Sequence, residues 1–229
     1  MGTAGDDYLV GTPGPDVIVG LGGNDRIDGL GGDDKICGND GSDYLLGSDG
    51  NDRIDGGAGP DNILGGDGND AMQGQGESDQ LFGQGGDDFL DGGEGGCCTF
   101  ATNTGDDALY GGPGNDTLHT SDFPTGGSRL AGEDGDDTLY MWSGGFGSGG
   151  LGNDTIYQYT RNAWLYGDDG NDHITNWDDG GANAETVYMF GGNGDDTLVN
   201  EDPTGTTPMD GGPDFDVCTN GSPETNCEA

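Results

Sequence analysis

The chain has 229 residues, of which 54 are glycine, and it carries 45 acidic against 5 basic side chains, a formal net charge of −40. That charge excludes nucleic acid and anionic membrane surfaces as partners, and no run of about 18 apolar residues is present to span a bilayer. A hydrophobic share of 29% with this much glycine would suit a disordered chain, but here the apolar residues recur at a single phase.

That phase belongs to a nine-residue unit repeated without a break from Gly2 to Asp91. Each copy reads G-x-x-G-x-D-x-U-x, with U a large aliphatic; Gly20 to Asp28, Gly47 to Asp55 and Gly65 to Gln73 show it well. Nine residues cannot bury an apolar side chain alone, so only stacked copies make a core. The glycines at positions one and four are expected to permit turn conformations closed to residues with a Cβ. The final x-U-x triplet alternates like a short strand, with U inward and its neighbours outward. Two units then make one coil of two strands and two loops, and coils stack at about 4.8 Å. The predicted fold class is all-β: a right-handed parallel β-roll, a two-sheet solenoid of about eleven 18-residue coils, roughly 55 Å long. Its core is expected to hold Leu9, Ile18, Ile27, Ile36, Leu45, Ile54, Ile63, Met72, Leu81 and Leu90.

Beyond Asp91 the period loosens. With 92–101 counted as the eleventh unit, good copies recur at 102–110, 111–119, 132–140, 149–157, 167–175 and 191–199, and a worn one at 211–219. Between them only strand-like pieces survive, such as Ser128 to Ala131, Ala163 to Tyr166 and Thr186 to Phe190. On that count the good late units are odd-numbered and the worn ones even. The second half is therefore predicted to keep one regular edge and to carry its irregularities, at 120–131, 141–148, 176–190 and 200–210, on the other. The organisation expected is a regular roll over 2–91, its continuation with insertions over 92–219, and a cysteine-bearing tail or cap over 220–229.

Position six is aspartate throughout the regular half: Asp7, Asp16, Asp25, Asp34, Asp43, Asp52, Asp61, Asp70, Asp79 and Asp88. It returns as Asp107, Asp116, Asp137, Asp154, Asp172, Asp196 and Asp216. Stacking brings equivalent carboxylates within one strand spacing, which is unfavourable unless a cation lies between them. Carboxylates from adjacent loops together with glycine-loop carbonyls make an all-oxygen cage, suited to calcium rather than to zinc or magnesium. Roughly fourteen such sites are expected, offsetting about 28 of the negative charges. A merely solvated acidic face would not require glycine at fixed offsets or aspartate at one phase.

These units resemble the G-G-x-G-x-D-x-U-x nonapeptide of the RTX calcium-binding β-roll family over essentially the whole chain. The resemblance implies a calcium-folded, secreted or cell-surface protein, as in the toxins, proteases, lipases, adhesins and surface-layer components of that family. Two features depart from it. The first nonad begins directly after Met1, and the chain ends about ten residues past the last unit, where the family carries a type I secretion segment. Export is thus expected to follow another route, or its signal lies outside this chain. The tail also carries Cys218 and Cys227, which flank a turn-rich stretch and are expected to form a disulfide in an oxidising compartment. The pairing of Cys37, Cys97 and Cys98 stays open.

Little supports catalysis. His119 and His173 are the only histidines, and neither H-E-x-x-H nor G-x-S-x-G occurs. The protein is therefore expected not to be an enzyme but a non-enzymatic extracellular structural or adhesive roll that folds on calcium, as a matrix, surface-layer or filament subunit that self-associates end to end. Two other readings remain: a glycan- or protein-binding module, and the calcium-triggered folding module of a larger secreted enzyme. The binding reading draws on Trp142, Trp164 and Trp177, which fall in worn units and are expected to share one edge, where closing that edge with bulk is the plainer role. A second outward stripe is expected from Thr117, Thr138, Thr155 and Thr197 beside Tyr140 and Tyr157.

Overall fold

The computed structural model describes residues 1–93, 106–120, 127–142, 144–159, 162–177, 186–201, 207–219 and 224–227. Among these, every regular element is a strand. The chain crosses at each step between two wholly parallel sheets, of 12 and 11 strands, so that next-but-one strands pair. Tyr8–Val10 pairs with Arg26–Asp28, which pairs with Tyr44–Asp49, each partner 18 residues further on. The parallel two-sheet roll predicted from the nonad is therefore the fold, with about eleven strands per sheet.

The strands follow from alternation. In Lys35–Asp40 and Arg53–Ala58 the aliphatic residue and the glycine two places later are both buried, while their neighbours face out. These strands thus run past the expected triplet into positions one to three of the next unit, and Leu21 pairs with Asn39 as Ile18 pairs with Ile36, whereas Tyr8–Val10, Arg26–Asp28 and Phe89–Asp91 stop at the triplet. The reason is backbone hydrogen bonding: in a solenoid the residues after U meet their copies at the same spacing, so the ladder continues until the turn breaks it. The U residues line the interior from Ile18 to Leu90 and on through Leu109, Leu118, Leu139, Ile156, Ile174 and Leu198, all buried, whereas Leu9 in the first coil is only partly covered.

The role expected for the first glycine needs correction. Left-handed backbone occurs at position four (Gly50, φ 140°; Gly68, φ 133°) and at position two, where Leu21, Asn39 and Ser48 adopt it despite their side chains. Glycines at position one, such as Gly47 and Gly65, have ordinary φ. What excludes a side chain there is a close approach, described below.

The unit count past Asp91 is also corrected. Ala108–Pro113 pairs with Gln80–Gly85 across a separation of 28 residues, not 18. The stretch 92–110 is thus one expanded nonad running from Gly92 to Asp107 and its strand, rather than an eleventh unit followed by a good one. The regular late units consequently feed the 11-stranded sheet, while the irregular ones feed the 12-stranded sheet. The segregation of irregularities to one edge holds; the parity assigned to them shifts by one. Strand pairing selects partners by backbone register and tolerates extra loop length at little entropic cost.

In the tail, Glu224–Thr225 pairs with Met209–Asp210, and Cys218 and Cys227 form the expected disulfide. Cys37 is free and half-buried; Cys97 and Cys98 lie outside the described residues.

Candidate metal centre

Where each loop turns inward to its strand, the position-six aspartate is buried from Asp25 onward, with Asp7 and Asp16 partly covered, and its two oxygens have different fates. Oδ1 accepts the backbone N–H of the equivalent aspartate one coil earlier. Asp34 donates to Asp52 at 2.8 Å, Asp52 to Asp70 at 2.7 Å and Asp70 to Asp88 at 2.8 Å. On the edge entering the 11-stranded sheet this ladder runs unbroken from Asp16 to Asp216. On the opposite edge it runs from Asp7 to Asp107. There it ends, because Asp107 donates instead to the Ser128 hydroxyl.

Oδ2 is buried without a hydrogen-bond partner in Asp25, Asp34, Asp43, Asp52, Asp61, Asp70, Asp79, Asp88, Asp116, Asp137, Asp154, Asp172, Asp196 and Asp216. A buried carboxylate oxygen left unpaired costs about 1–3 kcal/mol or more, so a periodic array of them requires a partner of another kind. The surroundings show what kind. A Cβ placed on Gly47 would collide with Asp52 Oδ2 and stand 2.6 Å from the Gly65 carbonyl oxygen, and the same arrangement recurs from coil to coil. The first glycine therefore keeps open a cradle where a carboxylate oxygen and a backbone carbonyl converge.

No group of three or more His, Cys, Asp or Glu side chains converges on one point among the described residues. A cation held here must complete its shell with carbonyls, and a shell made wholly of oxygen fits a hard ion of flexible coordination, calcium above all. Bound there, calcium would supply positive charge between adjacent carboxylates. The predicted ligands Asp7 and Asp16 stand apart: their Oδ2 atoms accept the Thr3 and Thr12 hydroxyls at 2.9 and 2.8 Å. Asp107 occupies the predicted column opposite Gly92.

Glycine at position one and aspartate at position six change together. On the edge where the ladder ends, Thr120, Met141, Gln158, Asn176 and Asn200 replace the glycine, and all five are buried. Asn176 donates to Asn200 at 2.9 Å.

One feature escaped the sequence reading. Position five carries a second ladder of opposite direction, in which a side-chain oxygen accepts the amide of the following coil: Asn51 from Asn69 at 2.9 Å, Asn115 from Asp136 at 2.8 Å and Asn171 from Asp195 at 2.8 Å. The recurrence of Asn or Asp just before the aspartate, at 24, 33, 51, 69, 87, 115, 136, 153, 171 and 195, was its available signal.

Burial dominates the electrostatics. It raises the carboxyl pKa to about 7 for Asp61, Asp70, Asp116, Asp154 and Asp172, about 9 for Asp79, and about 6 for Asp88, Asp137 and Asp196. The amide hydrogen bond opposes the rise, and nearby carboxylates add to it. These values exceed the unfolded value of about 3.9. Protonation therefore stabilises the metal-free roll fully below about pH 4, and that stabilisation is lost as pH climbs through the folded values, about 6 to 9. Calcium needs the deprotonated form. The calcium midpoint measured by circular dichroism is expected to fall as pH rises from about 6 to about 9, with protons released on binding. A midpoint flat over that range would remove the carboxylates from the ligand set.

The structure separates the tryptophans. Trp142 follows the strand Thr138–Met141 and stacks on Tyr159, with centroids 4.0 Å apart. Trp177 follows His173–Asn176 and is 51% exposed. Trp164 lies instead on a strand of the 12-stranded sheet, stacked on Tyr188. The threonine stripe is in register as expected, Thr117 with Thr138 and Thr155, with His173 before Thr197, and Tyr140 stacks on Tyr157 beside it.

A family model for the RTX calcium-binding nonapeptide repeat (4 copies) matches residues 1–36, 38–72, 64–96, 99–122, 125–145, 160–178 and 182–200. No curated protein matches the chain.

Proposed function

Because this chain belongs to the RTX calcium-binding nonapeptide-repeat family, we propose that it is a non-enzymatic extracellular structural or adhesive roll that folds when calcium binds, serving as a matrix, surface-layer or filament subunit. One observation carries the reading: unpartnered, buried carboxylate oxygens recur coil after coil from Asp25 to Asp216, so calcium would be part of the core of the whole roll rather than an accessory to another fold. Secretion is supported by the family, whose repeats are typical of secreted proteins, and by the Cys218–Cys227 disulfide, which suits an oxidising compartment. Terminal strands of a solenoid present unpaired edges, and head-to-tail pairing that does not close gives filaments.

Light scattering during addition of millimolar calcium to the metal-free protein tests this. Growth into large particles, reversed by chelator, is expected. A monomer that compacts without growing would overturn the building-material role and favour the second reading, a glycan- or protein-binding module. That reading is supported by the outward aromatic residues of the second half, Trp164 among them at 47% exposure.

A further inference from the structure

Outward rings on the 12-stranded sheet stack along the roll. Phe82 and Tyr110 have centroids 5.1 Å apart and planes 5° from parallel; Tyr166 and Phe190 are stacked at 4.8 Å, and Phe146, from the neighbouring outward row, meets Tyr166 tilted by 31° at 5.1 Å. Inner rings of such a ladder have both faces covered, so a ring face is offered only where a stack ends. At one end of the longer stack the chain supplies the cover itself. The Arg129 guanidinium carbon lies 5.0 Å from the Phe146 centroid, just as that of Arg26 lies 4.5 Å from Tyr44.

The ends toward the C-terminus, at Tyr110 and Phe190, are built differently. The strand neighbour of Tyr110 is Ala131, too short to cover a ring, and that of Phe190 is Asp210. A groove opens at each. One, of about 560 Å³, is lined by Tyr110, Phe82, Pro113, Asp67 and Glu133. The other, of about 320 Å³, is lined by Phe190, Pro213, Asp168, Asp169 and Asp210. Both therefore combine a stack-ending ring, a proline and carboxylates. Asn193 donates to Asp169 at 2.6 Å and the Ser148 hydroxyl donates to Asp168, which holds these acids in place. None of the five groove carboxylates belongs to the position-six ladders.

We propose that these two grooves bind arginine side chains of a basic segment in a partner protein. A guanidinium is flat enough to lie on a ring face and carries donors at its rim for the surrounding carboxylates. Arg129 on Phe146 shows the same pairing within the chain. The net charge of −40 favours a cationic partner. Four strand steps separate Tyr110 from Phe190, about 19 Å, which an extended segment covers in about six residues.

The test is calorimetry on the calcium-loaded full chain with a synthetic peptide bearing two arginines about six residues apart. Binding is expected, weakened about fivefold or more by Phe190→Leu, by Tyr110→Leu, and by citrulline in place of either arginine. Lysine should substitute only in part. Circular dichroism in calcium separates loss of binding from loss of fold. If a ring variant fails to fold, Asp210→Asn and Glu133→Gln report on the same grooves from their surface. The proposal is overturned if the peptide does not bind, or if the citrulline peptide binds equally well. Insensitivity to the ring and carboxylate variants would also overturn it, since plain attraction to a polyanion would then suffice. Arginine amide binding as tightly as the peptide would make the grooves small-molecule sites instead, and would likewise overturn the partner.

Discussion

Chelating calcium at pH 8 is expected to expand the protein about threefold, from a radius of gyration of about 17 Å to about 50 Å by small-angle X-ray scattering. The magnitudes decide this. Each nonad buries one aliphatic residue, worth about 1.5–3 kcal/mol. Carboxylates one strand spacing apart repel by about 3.5 kcal/mol per adjacent pair at an effective dielectric constant near 20. The Asp16-to-Asp216 ladder alone contains ten such neighbours. Repulsion thus offsets the core unless cations or protons intervene, before chain entropy is counted. Protons can intervene only as the pH falls below the raised carboxyl values, about 7 for Asp61 and Asp70. In chelator, acidification from pH 8 toward 5 is therefore expected to recover part of the strand signal. A protein that stays compact in chelator at pH 8 would show that the aliphatic columns suffice alone.

Gly47→Ala is expected to be as damaging as Asp52→Ala, each raising the calcium midpoint several-fold and costing about 2–4 kcal/mol. The aspartate change would remove a carboxylate that stands between two neighbouring coils and so would weaken a cation site on either side of it. The glycine change removes none, and its backbone φ is one that alanine adopts freely. Its whole effect would come from the methyl group, which collides with Asp52 Oδ2 and crowds the Gly65 carbonyl oxygen at 2.6 Å, the two oxygens of the cradle. Gly76→Ala is the control. Its Cβ would meet only the Gly57 carbonyl oxygen, at 3.7 Å, so the midpoint should stay within experimental error of the parent. If Gly47→Ala titrates like the parent, the oxygens beside Gly47 are not where calcium binds.

Much of the site was legible beforehand because each ladder member recurs at a constant offset. Asp52, Asp70 and Asp88 share one phase, and a nine-residue period places them in one column without any coordinates. Which oxygen of each carboxylate is satisfied was not legible, since a letter D is the same whether its Oδ2 is open, as in Asp70, or taken by a threonine hydroxyl, as in Asp16. The residue type of the first glycine suggests a turn, but its freedom of conformation is unused, and what matters is the atom it lacks. The tryptophans, grouped by unit number, are divided between a sheet face and the turns leaving the other sheet. Unit number does not say whether a residue stands on a strand or beside one.

The sequence by itself determined the coil, the phase of the aliphatic core, the acidic columns and the nature of the cation they suit. In a solenoid each residue meets its own copy one period away, so periodicity is already a contact map. Tertiary structure decided which coils stack where the period fails. Across the insertions the aspartate ladder steps by 28, 21, 17, 24 and 20 residues instead of 18, because parallel strand pairing aligns backbones and leaves the loops between them to take up any length. The same pairing decided where each aromatic stack ends, and with it which rings face a groove.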